Sequence, residues 1–110
     1  MGNIKFSREE KNDIEILRCL LQLYTFWQNE LIIISDLQRK EIINNCIQVI
    51  ERIIKDSNLT DEEINIISDT LIYKNDSMER IARKYFYSDS GLRNKVNIIL
   101  KKILDQTEKI

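Results

Sequence analysis

Apolar residues recur every three to four positions along this chain of 110 residues, and no long stretch alternates strictly between apolar and polar residues. This spacing is typical of amphipathic helices and not of half-buried strands. The chain also contains no proline, the residue that breaks a helix most strongly. The sequence therefore predicts an all-α fold with about five helices.

Several helix starts are marked by capping boxes, in which a hydroxyl side chain binds a backbone N–H three residues on and an acidic or amide side chain reaches back. The pairs are Ser7 with Glu10, Ser35 with Gln38 and Thr60 with Glu63. Ser77 and Ser90 are predicted to cap two later helices. We expect helices at about 8–29, 36–56 and 61–73, a fourth from Ser77 to about Phe86, and a last one after Ser90.

Two short polar segments separate the later helices. Residues 74–76 are predicted to form a loop, and residues 87–89 are predicted to form a tight turn. The first two helices each carry wide apolar stripes, which indicates a helical hairpin with more apolar surface than one contact buries. That surplus could cover the C-terminal helices or contact another subunit, and the sequence leaves both alternatives open.

A polar joint at residues 55–58 divides the predicted chain into two parts. Residues 1–58 form the hairpin, expected to serve oligomerisation or partner binding, and residues 59–110 form a second unit. Residues 1–73 hold 8 Lys and Arg against 13 Asp and Glu, whereas residues 74–110 hold 9 against 5. Basic surface beside an acidic remainder fits a local contact with a polyanion, although a solvated lysine-rich helix face is the alternative.

The composition argues against an enzyme and against a membrane protein. Because the chain has no histidine, Ser-His-Asp and Cys-His catalysis are excluded within it, and neither a metal nor a cofactor is expected. Cys19 and Cys46 lie among apolar residues without C-x-x-C spacing, so buried thiols are expected, with a redox pair or an intersubunit disulfide as alternatives. The longest apolar run, residues 31–34, is far too short to span a bilayer. We expect a cytoplasmic protein.

The segment 77–103 has the pattern of a helix-turn-helix. Two short helices that cross at a steep angle need a small residue at the crossing, and Ala82 lies between the larger Ile81 and Tyr85. Ala82 is the only alanine in a chain that contains 21 isoleucines. On the last helix the residues predicted to face inward are Leu92, Val96, Ile99 and Ile103.

This segment resembles the DNA-binding fourth region of sigma factors. The matching residues are Leu-Thr-Asp-Glu-Glu at 59–63, Ile-Ala at 81–82, Ser-x-Ser-Gly-Leu-Arg-x-Lys-Val at 88–96 and Leu-Lys-Lys-Ile at 100–103. Phage late-gene transcription regulators of the ArpU and RinA type are similar in using such a region near the C-terminus. The resemblance covers about residues 59–104. It departs from the usual pattern at Phe86, where many helix-turn-helix proteins have glycine, and at Lys95, where an apolar residue is common.

In a helix-turn-helix the last helix enters the DNA major groove by its N-terminal end. Arginine pairs with guanine and asparagine with adenine, so Arg93, Asn94 and Asn97 are the expected base readers. Gly91 would let the backbone approach a phosphate. The expected phosphate or backbone contacts are Ser77, Ser88, Ser90, Arg80, Arg83, Lys84, Lys95 and Lys101. The aromatic triplet at 85–87 and Tyr73 are expected to pack in the core.

These observations lead to two hypotheses about function. The first is a sequence-specific transcription regulator that binds double-stranded DNA, phage-encoded as the resemblance implies. Its N-terminal hairpin would form a homodimer or contact RNA polymerase. The second is a helical protein-binding module without DNA binding, acting as an anti-sigma-like factor, a decoy or a host-takeover adaptor through the apolar hairpin. Salt-dependent DNA binding distinguishes them.

Overall fold

The computed structural model describes residues 6–74 and 76–108, and for residues 107 and 108 it describes the backbone only. The described residues form helices and no strand, which confirms the all-α prediction. The helices are α1 (Arg8–Gln22), α2 (Tyr24–Ile33), α3 (Leu37–Asp56), α4 (Asp61–Ile67) with a π-helical turn (Ser68–Ile72), α5 (Met78–Lys84) and α6 (Asp89–Glu108). Since α1 and α2 are one helix interrupted at Leu23, the number of helices is close to the predicted five.

Two of the three predicted capping boxes are present. Ser7 and Glu10 exchange their side-chain and backbone hydrogen bonds at 3.0–3.1 Å, and Thr60 and Glu63 do the same. The Ser35 prediction is wrong, because α3 is capped by Asp36, whose carboxylate accepts from the Gln38 N–H at 2.9 Å. Aspartate caps as well as serine does, and its charge complements the helix dipole.

The hydrophobic core lies where α1, α4 and α5 surround α6. On α1 the stripe of Ile14, Leu17 and Leu21 is buried in this core. All four inward positions predicted on α6 are buried as well. Part of the surplus apolar surface of the N-terminal region therefore covers the C-terminal helices, and one core joins residues on both sides of the polar joint.

The predicted third helix changes its hydrogen-bonding pattern after Ile67. Residues 68–72 form a π-helical turn, closed by the hydrogen bond from the Tyr73 N–H to the Ser68 carbonyl at 2.9 Å. The Thr70 hydroxyl donates to the Ile66 carbonyl at 2.7 Å. The wider turn buries Asp69, Thr70, Leu71 and Ile72 in succession. An ordinary amphipathic helix would bury only one side of this segment.

Three residues that the sequence predicted to be buried are not buried. Cys19 is exposed, Cys46 is half-buried, and both are free thiols. Tyr73 is about half exposed and not in the core. Cys46 is not fully buried because it lines an open apolar groove together with Leu20 and Trp27. The predicted loop at 74–76 includes residue 75, which lies outside the described residues.

None of the helices in the described part of the chain combines the length and the apolar character needed to cross a membrane.

Candidate nucleic-acid interface

Helices α5 and α6 are packed against each other with Ala82 between them. The Ala82 side chain is 1% exposed and belongs to the core that also contains Leu92 and Val96 of α6. The chain turns directly after this contact, since the Tyr87 N–H donates to the Ala82 carbonyl at 2.8 Å. The small residue is thus buried in the core that α5 shares with α6.

Replacement of Ala82 by leucine should lower the free energy of unfolding by about 1–3 kcal/mol, because a buried site beside α6 has no space for three more carbon atoms. Thermal melting followed by circular dichroism measures the change. Arg83→Leu, an exposed position on the same helix, is the matched control and should melt close to the parent. An Ala82→Leu variant as stable as the parent would contradict this packing.

The turn lies earlier than the sequence predicted. Helix α5 ends at Lys84 rather than near Phe86, and Phe86 adopts a left-handed backbone with φ 64°. A residue with a side chain pays a steric cost in this conformation, which explains why glycine is common there. Tyr85 and Tyr87 pack against the core as expected, but Phe86 is 96% exposed, so its predicted core packing is wrong.

The start of α6 is capped by Ser88 and not by Ser90. Helix α6 begins at Asp89, and the Ser88 hydroxyl accepts a hydrogen bond from the Gly91 N–H at 3.0 Å. A β-carbon on Gly91 would lie 2.8 Å from that hydroxyl oxygen. Gly91 therefore has a structural role in the cap, and Ser90 remains exposed at the helix end.

The predicted base readers lie along one open groove between the N-terminal halves of α1 and α6. Its volume is about 870 Å³, and Ser90, Arg93, Asn94 and Asn97 line its α6 side. Lys11 and Glu15 lie on the α1 side. The structure therefore brings together four polar side chains that the sequence singled out, all on one face of α6.

Asn97 and Arg93 differ in their contacts with the rest of the protein. The Arg18 guanidinium of α1, which also pairs with Glu15 at 3.1 Å, donates to the Asn97 side-chain oxygen. Arg93 is exposed and has no ion-pair partner among the residues that the structure describes. Asn97 is thus fixed by the protein itself, whereas the Arg93 guanidinium keeps its hydrogen-bond donors for a ligand.

Much of the positive charge of the C-terminal third is paired with carboxylates elsewhere in the fold. Lys101 lies 2.8 Å from Glu10 and 2.9 Å from Asp105. Lys84 lies 3.0 Å from Asp69, which also accepts from the Tyr85 hydroxyl at 2.6 Å. These lysines attach α6 to α1 and α5 to the π-helical turn.

A single carboxylate on α4 holds two further lysines. Glu63 is nearly buried and lies 2.7 Å from Lys102 and 3.7 Å from Lys95. Burial alone would raise the pKa of Glu63, but the hydrogen bonds from Lys102 and the Thr60 N–H, with the charges of both lysines, lower it to about 2. This cluster joins α4 to α6. Lys95, at a position where helix-turn-helix proteins commonly have an apolar residue, is accommodated here by its ion pair with Glu63.

The ion pair between Lys101 and Glu10 shifts the pKa values of both groups. The hydrogen bond from Lys101, followed by those from the backbone and hydroxyl of Ser7, lowers the pKa of Glu10 to about 2. Hydrogen bonds to Glu10 and Asp105 raise the pKa of Lys101 above its ordinary value. Both groups therefore stay charged at neutral pH and remain paired.

The exposed arginines of this region lie on α5 and α6. Arg80 and Arg83 have their closest carboxylates on their own segment, with Asp76 at 3.8 Å and Glu79 at 2.6 Å. Such exposed pairs are weak and exchange readily with other anions. Arg80, Arg83 and Arg93 are thus arginines accessible to a polyanion.

Sequence reasoning missed Arg18, Asp69 and Lys102. Each acts through a partner far away in the chain, so no local spacing marks it. Glu63 was found only as a helix cap, and its nearly buried position between two lysines could not be read from the capping pattern. Among the described residues, no group of three or more acidic or cysteine side chains is placed to hold a metal ion.

Comparisons with protein families, with curated protein sequences and with solved structures find no match to this chain.

Proposed function

We propose that the protein binds double-stranded DNA through the α5–α6 unit and acts as a sequence-specific transcription regulator. The observation that carries the proposal is the position of Arg93, an unpaired and exposed arginine in the second turn of α6, which directly follows the turn after α5. A recognition helix uses these first turns to contact base edges in the major groove.

The structure suggests different roles for the expected base readers. Arg93 would read guanine, because its guanidinium can form two parallel hydrogen bonds to the base. Asn94 would read adenine from the same open face. Asn97 is bound by Arg18, so it would contribute chiefly by fixing the side of α6 that faces α1.

Of the residues expected to bind phosphate, those on α5 and at the start of α6 are the most accessible. Arg80 and Arg83 are accessible, and Ser88 and Ser90 are exposed at the start of α6. Lys95 and Lys101, also expected to bind phosphate, have less charge to offer because Glu63 and Glu10 face them. We therefore assign the sequence-independent part of binding mainly to α5.

The second candidate function is protein binding without DNA. It is favoured by the exposed apolar side chains of the N-terminal region, among them Ile32, Ile33 and Ile42. In that case α5 and α6 would serve only to support the hairpin, and RNA polymerase or one of its factors would be the partner.

Titration of a labelled duplex pool at about 50 mM and 200 mM salt distinguishes the two functions. If three phosphates are neutralised, the affinity should fall more than about tenfold between these conditions, since counterions are released on binding. The control variant Arg80→Ala with Arg83→Ala should bind more weakly and with a shallower salt dependence. Absence of binding at the lower salt concentration would favour the protein-binding function.

A further inference from the structure

The hairpin formed by α2 and α3 extends from the body of the protein as an arm. Helix α2 has no buried residue, and the buried residues of α3, Ile47 and Ile50, both lie in its C-terminal half. The molecule measures 50 × 33 × 24 Å, with a radius of gyration of 15.1 Å. A compact chain of this length would have a radius of about 13 Å. The distal part of the arm is therefore two helices without a third layer.

Large apolar side chains cover the outside of this arm. Six of them are more than half exposed: Phe26, Ile32, Ile33, Leu37, Ile42 and Val49. Scattered apolar residues are normal on a protein surface, but a group on one two-helix element is typical of an interaction surface.

Helix α3 carries two parallel rows of apolar residues. The inner row, Ile43, Ile47, Ile50 and Ile54, faces the rest of the chain. The outer row consists of Ile42, Cys46, Val49 and Ile53, spaced by four, three and four residues, and it contains no charged residue. This is the spacing with which helices pack in coiled coils and helical bundles. The chain buries or half-buries the inner row and packs Ile53 of the outer row partly against its own core, whereas Ile42 and Val49 of the outer row remain more than half exposed.

An apolar groove runs beside the outer row. It has a volume of about 230 Å³ and is lined by Leu20 of α1 and Trp27 of α2 on one side and by Cys46 and Val49 of α3 on the other. This volume accommodates a few aliphatic side chains. The surface thus has both protruding residues, such as Ile42, and a recess that can receive residues of the same kind.

The exposed area agrees with an uncovered interface. A folded monomer of 13.2 kDa is expected to expose about 6,400 Å². This chain exposes 7784 Å², about 1,400 Å² more. Each partner of a standard interface contributes about 800 Å². The excess belongs to the whole elongated chain, and the exposed apolar residues locate part of it on the arm.

From these observations we infer that the outer row of α3 and the adjoining groove bind a second copy of this chain in a two-fold symmetric dimer. A two-fold interface must be complementary to itself, and this surface presents both ridge and groove. Charge does not oppose the pairing, since residues 24–56 hold four Lys and Arg against five Asp and Glu. The two arms would together form a four-helix arrangement that supplies the missing layer. The inference does not depend on DNA binding.

Sedimentation equilibrium or light scattering of the full chain without DNA tests the inference. At tens of micromolar the protein should have twice the 13.2 kDa mass of the chain. Val49→Glu should shift it to the monomer mass, because the substitution places a charge in the outer row. Ile42→Glu, at a more exposed position of the same row, should do the same. Gln48→Glu adds the same charge to an exposed position off the row and should leave the dimer intact.

A melting curve of each variant shows whether the helices still form, and Ile42→Glu decides the question if Val49→Glu does not fold. A monomeric parent would overturn the inference and would leave the groove for a helix of another protein. A dimer that persists in both glutamate variants would also overturn it, because the interface would then lie elsewhere. Neither result depends on whether the α5–α6 unit binds DNA.

Discussion

Replacement of Glu63 by alanine should lower the free energy of unfolding by about 2–4 kcal/mol. The change removes the helix cap to the Thr60 N–H, worth about 1 kcal/mol, and the charged hydrogen bonds of Lys102, worth about 1.5–3 kcal/mol. Lys95 also loses its partner. Because both lysines are partly exposed, water compensates for some of the loss. Chemical denaturation at neutral pH measures the effect.

Two further variants test the origin of this effect. Glu62→Ala changes the exposed neighbouring residue in the same first turn and should cost less than about 0.5 kcal/mol. Glu63→Gln keeps a side chain able to reach the Thr60 N–H but loses the charge, so its stability should lie between those of the parent and Glu63→Ala. Equal effects of Glu62→Ala and Glu63→Ala would contradict the central position of Glu63.

The interaction of Glu63 with Lys102 should also make the stability of the protein depend on pH. The pKa of Glu63 is about 2 in the folded protein and 4.5 at its ordinary value, so the folded state favours the charged form. Its contribution is fully present above about pH 4.5 and is lost as the pH falls towards 2. The difference in stability between the parent and Glu63→Gln should therefore shrink over this interval.

The sequence was sufficient for those features that depend on local spacing. The all-α fold, the capping boxes at Ser7 and Thr60, and the buried face of α6 all follow from residues within a few positions of one another. The lone alanine also indicated a buried crossing, because a position that excludes isoleucine in this chain is distinctive. These predictions needed no information about the distant parts of the fold.

Other features depend on contacts that local spacing does not contain. The basic balance of residues 74–110 suggested a free positive surface, but Lys84, Lys95 and Lys101 face carboxylates contributed by other parts of the fold. Phe86 resembled a core aromatic residue, yet the backbone at the turn points it into solvent. Cys46 lies among apolar neighbours in sequence but on the outer row of α3.

The ion pairs of these lysines determine which substitutions can test DNA recognition. If lysines that hold the fold together are removed, DNA binding falls for a structural reason, and such variants say little about recognition. Arg93 is free of this problem because no described carboxylate pairs with it and its side chain is exposed. Replacement of Arg93 should leave the fold intact and change only the binding of DNA.

The most direct test of the proposed recognition is the sequence preference of the Arg93→Ala variant. Sequences enriched from a random duplex pool by the parent define its preferred site, and affinities for that site and for random DNA are then compared. Loss of one good base contact corresponds to roughly 1–3 kcal/mol, or a fall in preference of roughly 5- to 150-fold. Asn94→Ala should also reduce the preference.

Arg83→Ala is the control in this measurement, since a phosphate contact weakens binding to all sequences about equally. We predict that Arg93→Ala binds random DNA almost as well as the parent but has a preference for the selected site that is roughly 5- to 150-fold weaker, whereas Arg83→Ala keeps the parent's preference. An unchanged preference in Arg93→Ala, together with an altered preference in Arg83→Ala, would show that α6 does not enter the groove by its N-terminal end and would contradict the account.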